Sequence, residues 1–282
     1  MYPIALIFFA GDDRDAVMVD GFLAVAPRMG VERVIVAHCR VDAEQGEESP
    51  VPPDLQPHVE ALRAALPDAA VETLVDECAP PDLLEATQRD IGPDLVVIGR
   101  DPCTGDRSAW GRIGHEIIRH SDVSVLVVPA DWPGTVQGAV VGMDFSDQAI
   151  EALAIARRLF DEVVCLFQFN PAHRHAGSMT EAEYSQHTTE HAHETYREVV
   201  APQVPGELPP LEVVAASRAS DALVDRAGRD RFIVAGSRGL KPIAAMLLGS
   251  TAERVAGRSG APVLVTRKKG ESMGVIEGLV HR

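Results

Sequence analysis

The strongest constraint on this chain is that it writes one pattern twice. Val125-Leu-Val-Val128 returns 138 residues later as Val263-Leu-Val-Thr266, and Asp94-Leu-Val-Val-Ile-Gly99 returns loosely 137 residues later as Arg231-Phe-Ile-Val-Ala-Gly236. Each half opens and closes on an apolar strand and alternates strand with helix in between. Strands such as Leu95 to Ile98 and Val125 to Val128 are apolar at every position, the signature of a sheet covered on both faces. Repeated strand–helix alternation implies a parallel sheet with right-handed crossovers. In the first half the pattern predicts strands near 3–10, 32–38, 70–76, 94–99 and 123–129, with helices near 13–29, 55–66, 81–90 and 110–121. In the second it predicts strands near 137–143, 162–169, 211–217, 231–236 and 261–267, with helices near 147–160, 180–200, 219–229 and 244–258. The fold class is therefore α/β: two tandem, doubly wound, five-stranded parallel-sheet (Rossmann-like) domains, over 1–130 and 136–267. The Pro/Gly turn Ala130-Asp-Trp-Pro-Gly-Thr135 marks the boundary, and 268–282 form a C-terminal tail.

A length of 282 residues suits two ordinary domains, and 46% apolar residues suffice for two cores. No apolar run approaches the roughly 20 residues of a membrane span, so no membrane partner is expected. Met1 to Ala10 has no basic leader and reads as a first strand, not a signal peptide. The net charge of −16 argues against nucleic acid as a partner, because such binding rests on Lys and Arg at phosphates. The four cysteines, Cys39, Cys78, Cys103 and Cys165, form no CxxC pair. They fit a reducing cytoplasm and argue for neither a disulfide framework nor a zinc site.

The chemistry concentrates in 234–251. The strand over 231–235 runs into Gly236 and Gly239, and Gly249-Ser250-Thr251 then opens an amphipathic stretch. Glycines after a strand allow a sharp turn and a close ligand approach. A helix start with free N–H groups and two hydroxyls can hold phosphate without a basic cluster. Ligands of doubly wound sheets bind at strand carboxyl ends where strand order reverses, here expected between the first and fourth strands of the second half. The first strand ends in Gly142-Met143-Asp144-Phe145-Ser146, which places Asp144 to accept from a ribose hydroxyl or a base amine. The second ends near Phe167-Gln168-Phe169, which could wall an adenine. The expected nucleotide site therefore comprises Gly142, Met143, Asp144, Phe167, Gln168, Ala235, Gly236, Gly239, Gly249, Ser250 and Thr251. The chain carries neither the Gly-x4-Gly-Lys-Ser/Thr cradle nor G-x-G-x-x-G in this segment.

On these residues the second half resembles a universal stress protein domain of the ATP-binding subgroup. The family pattern of Gly, two residues, Gly, nine residues, Gly, Ser/Thr reads here as Gly236, Gly239, Gly249, Ser250. Val141 to Ser146 resembles its first strand and turn, and Ala261-Pro-Val-Leu-Val265 its last strand. The resemblance spans most of 136–267. It implies ATP, with or without Mg²⁺, with adenine between strands one and two, ribose near Asp144, and phosphates over Gly236, Gly239, Gly249, Ser250 and Thr251. It also implies that the two halves pair through 123–129 and 261–267 as an intrachain pseudo-dimer, which would cover two sheet edges. Association of two chains into a homodimer stays open.

The first half resembles the same domain with a damaged motif. Gly99 is in place, Pro102 removes an N–H at the second glycine position, Gly111 follows one residue early, and Arg112 replaces the serine. Its first strand ends Phe8-Phe9-Ala10-Gly11-Asp12, with Asp12 or Asp13 as stand-ins for Asp144. This half is expected not to hold ATP in the family manner, although Arg100, Arg107 or Arg112 could contact an anion.

Other groups favour plainer readings. His187 and His191 stand at i, i+4 with Glu194 on the same stripe, a spacing that can bind Zn²⁺ or Ni²⁺ but more often marks a solvated helix face. Tyr184, Thr188, Ala192, Tyr196 and Val199 are expected to face the core. His115 and His120 read as helix histidines, and Ser146 as a helix cap. No metal site and no catalytic residue is assigned. The resulting expectation is a cytoplasmic, ATP-binding stress-response sensor or regulator with one competent site and a regulatory protein partner. The alternatives are a slow ATP hydrolase, with His173 or His175 as base, and a nucleotide-free interaction scaffold.

Overall fold

The computed structural model describes residues 2–39, 54–101, 114, 117–118, 121–173, 179–237 and 249–267. By its internal contacts the chain divides into two units. The first is Met1–Gly134 with Ala244–Leu248 and Arg267–Arg282, and the second is Thr135–Ile243 with Gly249–Thr266.

The first unit runs β1 (Ile4–Phe9), α1 (Arg14–Leu23), α2 (Ala26–Met29), β2 (Arg33–Cys39), α3 (Gln56–Ala65), β3 (Ala70–Asp76), α4 (Pro80–Asp90), β4 (Leu95–Arg100) and β5 (Ser124–Pro129). Its strands lie in the order β3-β2-β1-β4-β5. β1 pairs in parallel with β2 on one side (Ala5 opposite Val34) and with β4 on the other (Ala5 opposite Leu95). The strands predicted here stand within a residue or so of their expected places. The helix expected over 13–29 is broken at Ala24 and Val25, because Pro27 initiates a second short helix more readily than it continues the first. The helix expected over 110–121 lies mostly outside the described residues. Met18, Val19 and Phe22 of α1 are buried, and the helix packs on β4 and β5.

The second unit runs β6 (Ala139–Gly142), α5 (Asp147–Leu159), β7 (Val163–Phe169), α6 (Glu181–Thr195), β8 (Leu211–Ala215), α7 (Ala219–Ala227), β9 (Phe232–Gly236), α8 (Ser250–Arg258) and β10 (Val263–Thr266). Its order is β10-β9-β6-β7-β8, so the reversal falls between its first and fourth strands, where the sequence places it. α5 begins at Ser146, whose hydroxyl accepts from the Ala149 N–H at 3.3 Å. Ile150, Leu153, Ala156 and Leu159 form its buried stripe at helical spacing against β9 and β6. Leu153 is fully buried, and truncating such a leucine to alanine costs about 2–5 kcal/mol.

α6 starts on a capping box. The Glu183 N–H donates to Thr180 Oγ1 at 3.2 Å, and the Thr180 N–H to the Glu183 carboxylate at 2.7 Å. Tyr184 and Thr188 are half-buried and Ala192 and Tyr196 buried, but Val199 is exposed and Val200 takes its place inside. The cause is local: Tyr196–Val200 form a π-helical turn, which holds more residues per turn and moves the inward position one residue on. The Tyr196 hydroxyl reaches Cys165 Sγ at 3.2 Å and the Pro209 carbonyl at 3.1 Å, and this anchors the turn.

Candidate functional site

In the second unit β6 lies between β7 and β9, with Ala139 opposite both Val163 and Phe232. Its register with β9 ends at Val141 opposite Val234, so Asp144 and Gly236 leave the sheet side by side across the reversal. The Met143 N–H still donates to the Leu166 carbonyl at 2.9 Å, which holds the chain to β7 one residue beyond the strand. Asp144 then turns inward on its own loop. Its Oδ1 accepts from the Ser146 N–H at 3.1 Å and also from the Ser146 hydroxyl. Phe145 between them has φ +63°, the only left-handed non-glycine among the described residues. A bulky residue there costs about 1–2 kcal/mol. Its ring stacks on Phe167, with centroids 5.0 Å apart and planes 27° from parallel.

Alternation along β7 turns Gln168 away from Phe167. Its amide nitrogen donates to the Ala216 carbonyl, just past β8, and so braces the sheet edge. Phe169 is buried edge-to-face against Tyr184.

β9 carries buried Ala235 and ends at Gly236. A Cβ on Gly236 would lie 2.9 Å from the Gln148 backbone, so the missing side chain is what lets the first turn of α5 sit against the strand end. Sequence reasoning reserved that glycine for ligand approach; helix packing already requires it. The Ser237 N–H then donates to Thr266 at 3.0 Å, and the Gly249 N–H donates back to the Ser237 carbonyl at 2.7 Å. The glycine loop therefore leaves and returns at one pinned point. Gly239 lies outside the described residues.

Gly249 is the N-cap of α8 and supplies no side-chain acceptor to the helix's first N–H groups. Ser250 is exposed and Thr251 half-buried on the first turn. Donors of this kind, with two hydroxyls beside them at the positive end of a helix, can take an anion. The structure thus gathers Gly142, Met143, Asp144 and Phe167 at one strand end with Ala235, Gly236, Gly249, Ser250 and Thr251 next to it. It turns Gln168 outward and adds Phe145, which sequence reasoning left out.

The corresponding turn of the first unit is filled by its own side chains. Gly11 takes the left-handed conformation, φ +82°, at the place equivalent to Phe145. Asp15, only 2% exposed, receives the N–H groups of Ala10 at 2.9 Å, Gly11 at 2.7 Å and Asp12 at 3.2 Å. Burial pushes its carboxyl above the ordinary range, with those three N–H groups pulling the other way. Arg14 binds Asp12 through Nε at 2.8 and 2.9 Å and ties in Asp101, which follows β4. Arg14 holds the Asp12 carboxyl below its ordinary value, so Asp12, one of the two residues named as stand-ins for Asp144, is already paired. Arg100 is buried and donates to the Asp101 carbonyl at 3.1 Å. Pro102, Arg107, Gly111, Arg112, His115 and His120 lie outside the described residues, as does the His175 considered as a base. Asp15 and Arg14 escaped the sequence reading, although a carboxylate in a first helical turn beside a Gly-containing strand end was a usable signal.

His187 and His191 stack at 6.4 Å on the exposed face of α6. Among the described residues no group of three His, Cys, Asp or Glu could hold a metal ion.

The model of the universal stress protein family matches this chain twice, over residues 24–129 and 137–267. A universal stress protein from Archaeoglobus fulgidus is 17% identical with a TM-score of 0.59, over 95% of this chain and 99% of that one. A functionally unknown protein from Pseudomonas aeruginosa PAO1 is 14% identical with a TM-score of 0.65, over 100% of this chain and 98% of that one. No curated protein matches the chain.

Proposed function

Starting from the fact that the chain belongs to the universal stress protein family, whose model covers both halves, we propose that its second unit binds ATP and that the protein is a nucleotide-responsive regulator. The observation that carries this reading is the start of α8. Its first N–H groups have no side-chain cap, two hydroxyls stand beside them, and the loop base is pinned by Gly249 to Ser237 next to the strand reversal. In this reading the N–H groups of α8, with Ser250 and Thr251, hold the polyphosphate, Gly236 lets α5 close on the strand end beside it, and Gly239 keeps a side chain out of its way. Asp144 accepts from a ribose hydroxyl with the carboxylate capacity the Ser146 turn leaves over, and Phe167 offers a face to the base. Gln168 contributes through its backbone, since its side chain is spent on Ala216. Mg²⁺, where present, accompanies the phosphates.

The first unit binds no ATP in this reading, because Asp15 and the Arg14 ion pairs consume its turn. β5 and β10, each the last strand of its unit and built on a Val-Leu-Val run, we take to pair as an intrachain pseudo-dimer. Among the described residues no helix is long and apolar enough to cross a membrane, and we place the protein in the cytoplasm. Regulation would run through a protein partner that reads the occupied state.

Titration calorimetry of the full chain with ATP tests the reading. One ATP per chain is expected, with binding lost in Gly249→Val and kept in Pro102→Gly. No heat with millimolar ATP, or two sites per chain, overturns it. Phosphate release far below one turnover per minute is expected of a sensor; faster turnover that disappears in Gly249→Val would instead show a hydrolase.

A further inference from the structure

Two of the four cysteines meet at the carboxyl edge of the first unit's sheet. Cys39 is the last residue of β2 and stands opposite Asp76, the last of β3. Asp76 Oδ1 accepts from the N–H of Glu77 at 2.7 Å and of Cys78 at 3.3 Å, a turn that bends the chain back as the strand ends. The bend turns Cys78 back toward the end of β2, and the Cys39 thiol is raised by burial and then by the Cys78 thiol beside it. Both are free and only half-buried, unlike Cys165, which is sealed in the core against Tyr196. Two thiols beside each other at neighbouring parallel strand ends, both open to a small reagent, are placed to be joined by a disulfide.

We propose that Cys39 and Cys78 are a reversible disulfide-forming pair that a small-molecule disulfide, such as oxidised glutathione, converts to a staple between β2 and β3. Cys78 is the attacking thiol. Its thiolate attacks one sulfur of the oxidant, forms a mixed disulfide and expels one glutathione thiolate. Cys39 then loses its proton and attacks the Cys78 sulfur, forming the internal disulfide and expelling the second glutathione. The two protein protons end on the two glutathiones, and two electrons pass from the dithiol to the oxidant.

The surroundings set the tempo. Asp76 at the end of β3 and Asp82 on α4 face the pair, and both thiols sit above their ordinary value. For Cys39 burial is the largest cause, followed by the Cys78 thiol and Asp76, and together they push it up to about 12. Thiolate is therefore scarce near neutrality, and exchange should quicken by about tenfold per pH unit between 7 and 9. The pair responds to sustained oxidation and not to a brief pulse.

The test treats the full chain with oxidised glutathione at pH 8, blocks remaining thiols with an alkylating agent, and digests without reduction. The expected product is a peptide pair joined through Cys39 and Cys78, about 2 Da lighter than the two thiol peptides and restored by dithiothreitol. Its formation should raise the melting temperature by about 5 °C, because the bond closes the crossover that carries α3. That rise should be absent in Cys39→Ser, which should keep a glutathione adduct on Cys78, and absent in Cys78→Ser, which lacks the attacking thiol. Separate glutathione adducts on both cysteines, a bond from either to Cys103, or two thiols still fully alkylatable after prolonged oxidation would each overturn the proposal.

Discussion

The two strand-end turns, after β1 and after β6, share a backbone and differ in what fills it. Both place one residue in the left-handed conformation, Gly11 at φ +82° and Phe145 at φ +63°. In the first unit three N–H groups of the turn close on the buried Asp15, and Arg14 ties Asp12 to Asp101 across the reversal. In the second unit Asp144 serves a short turn with Ser146, Ser146 caps the helix, and the helix start beside it carries no side-chain cap. The first turn has become its own ligand, and the second keeps donors that an anion can use. A fold duplicated in one chain can therefore close one strand-end turn on an inward carboxylate while its sheet stays intact.

The largest test of that contrast is Asp15→Ala. It removes the buried carboxylate that gathers three N–H groups of the turn and should cost about 3 kcal/mol in urea unfolding, whereas Asp144→Ala, at a half-buried turn, should cost about 1 kcal/mol. Equal losses would break the comparison. Next is Gly236→Ala, whose Cβ would press on the Gln148 backbone at 2.9 Å. It should cost about 1–3 kcal/mol and weaken ATP in calorimetry. The matching Gly99→Ala meets only Met18 Sδ at 3.8 Å and should stay within about 0.5 kcal/mol.

Smaller again is the exchange at the left-handed position. Gly11→Ala should cost about 1 kcal/mol, since its Cβ adopts strained backbone 3.1 Å from His38. Phe145→Gly relieves a similar strain but loses the Phe167 stack, worth about 0.5–1.5 kcal/mol, so its unfolding midpoint should barely move. The smallest effect belongs to Glu212, bound by Arg226 at 2.7 and 2.8 Å on a partly exposed surface. Arg226 holds its carboxyl below the ordinary range. Its contribution is thus complete above the unfolded-state pKa and fades as pH falls through the lower folded-state value. Glu212→Gln should flatten the acid limb of a stability–pH curve slightly, by less than about 0.5 kcal/mol after solvent screening.

Strand positions were legible in the sequence because continuous apolar runs such as Val125 to Val128 stand out from their surroundings and repetition doubled the signal. The reversal beside Asp144 was expected from the habit of doubly wound sheets. Side-chain commitments were less legible. Nothing in Gln168 announces a bond to Ala216 across a neighbouring strand, and nothing in Phe145 announces a left-handed backbone, since both depend on contacts far along the chain. Val199 was placed inside because regular helical spacing was assumed, and a π-helical turn shifts that spacing by one residue. Gly236 was read as room for a ligand, because sequence shows the missing side chain but not which neighbour needs the space.

The contact between Gly236 and Gln148 fixes how closely β9 and α5 sit in the second unit. The first turn of α5 lies so close to the end of β9 that even a methyl group at Gly236 finds no room between them. A side chain added at Gly236 would have to part strand and helix before anything else in the unit moved.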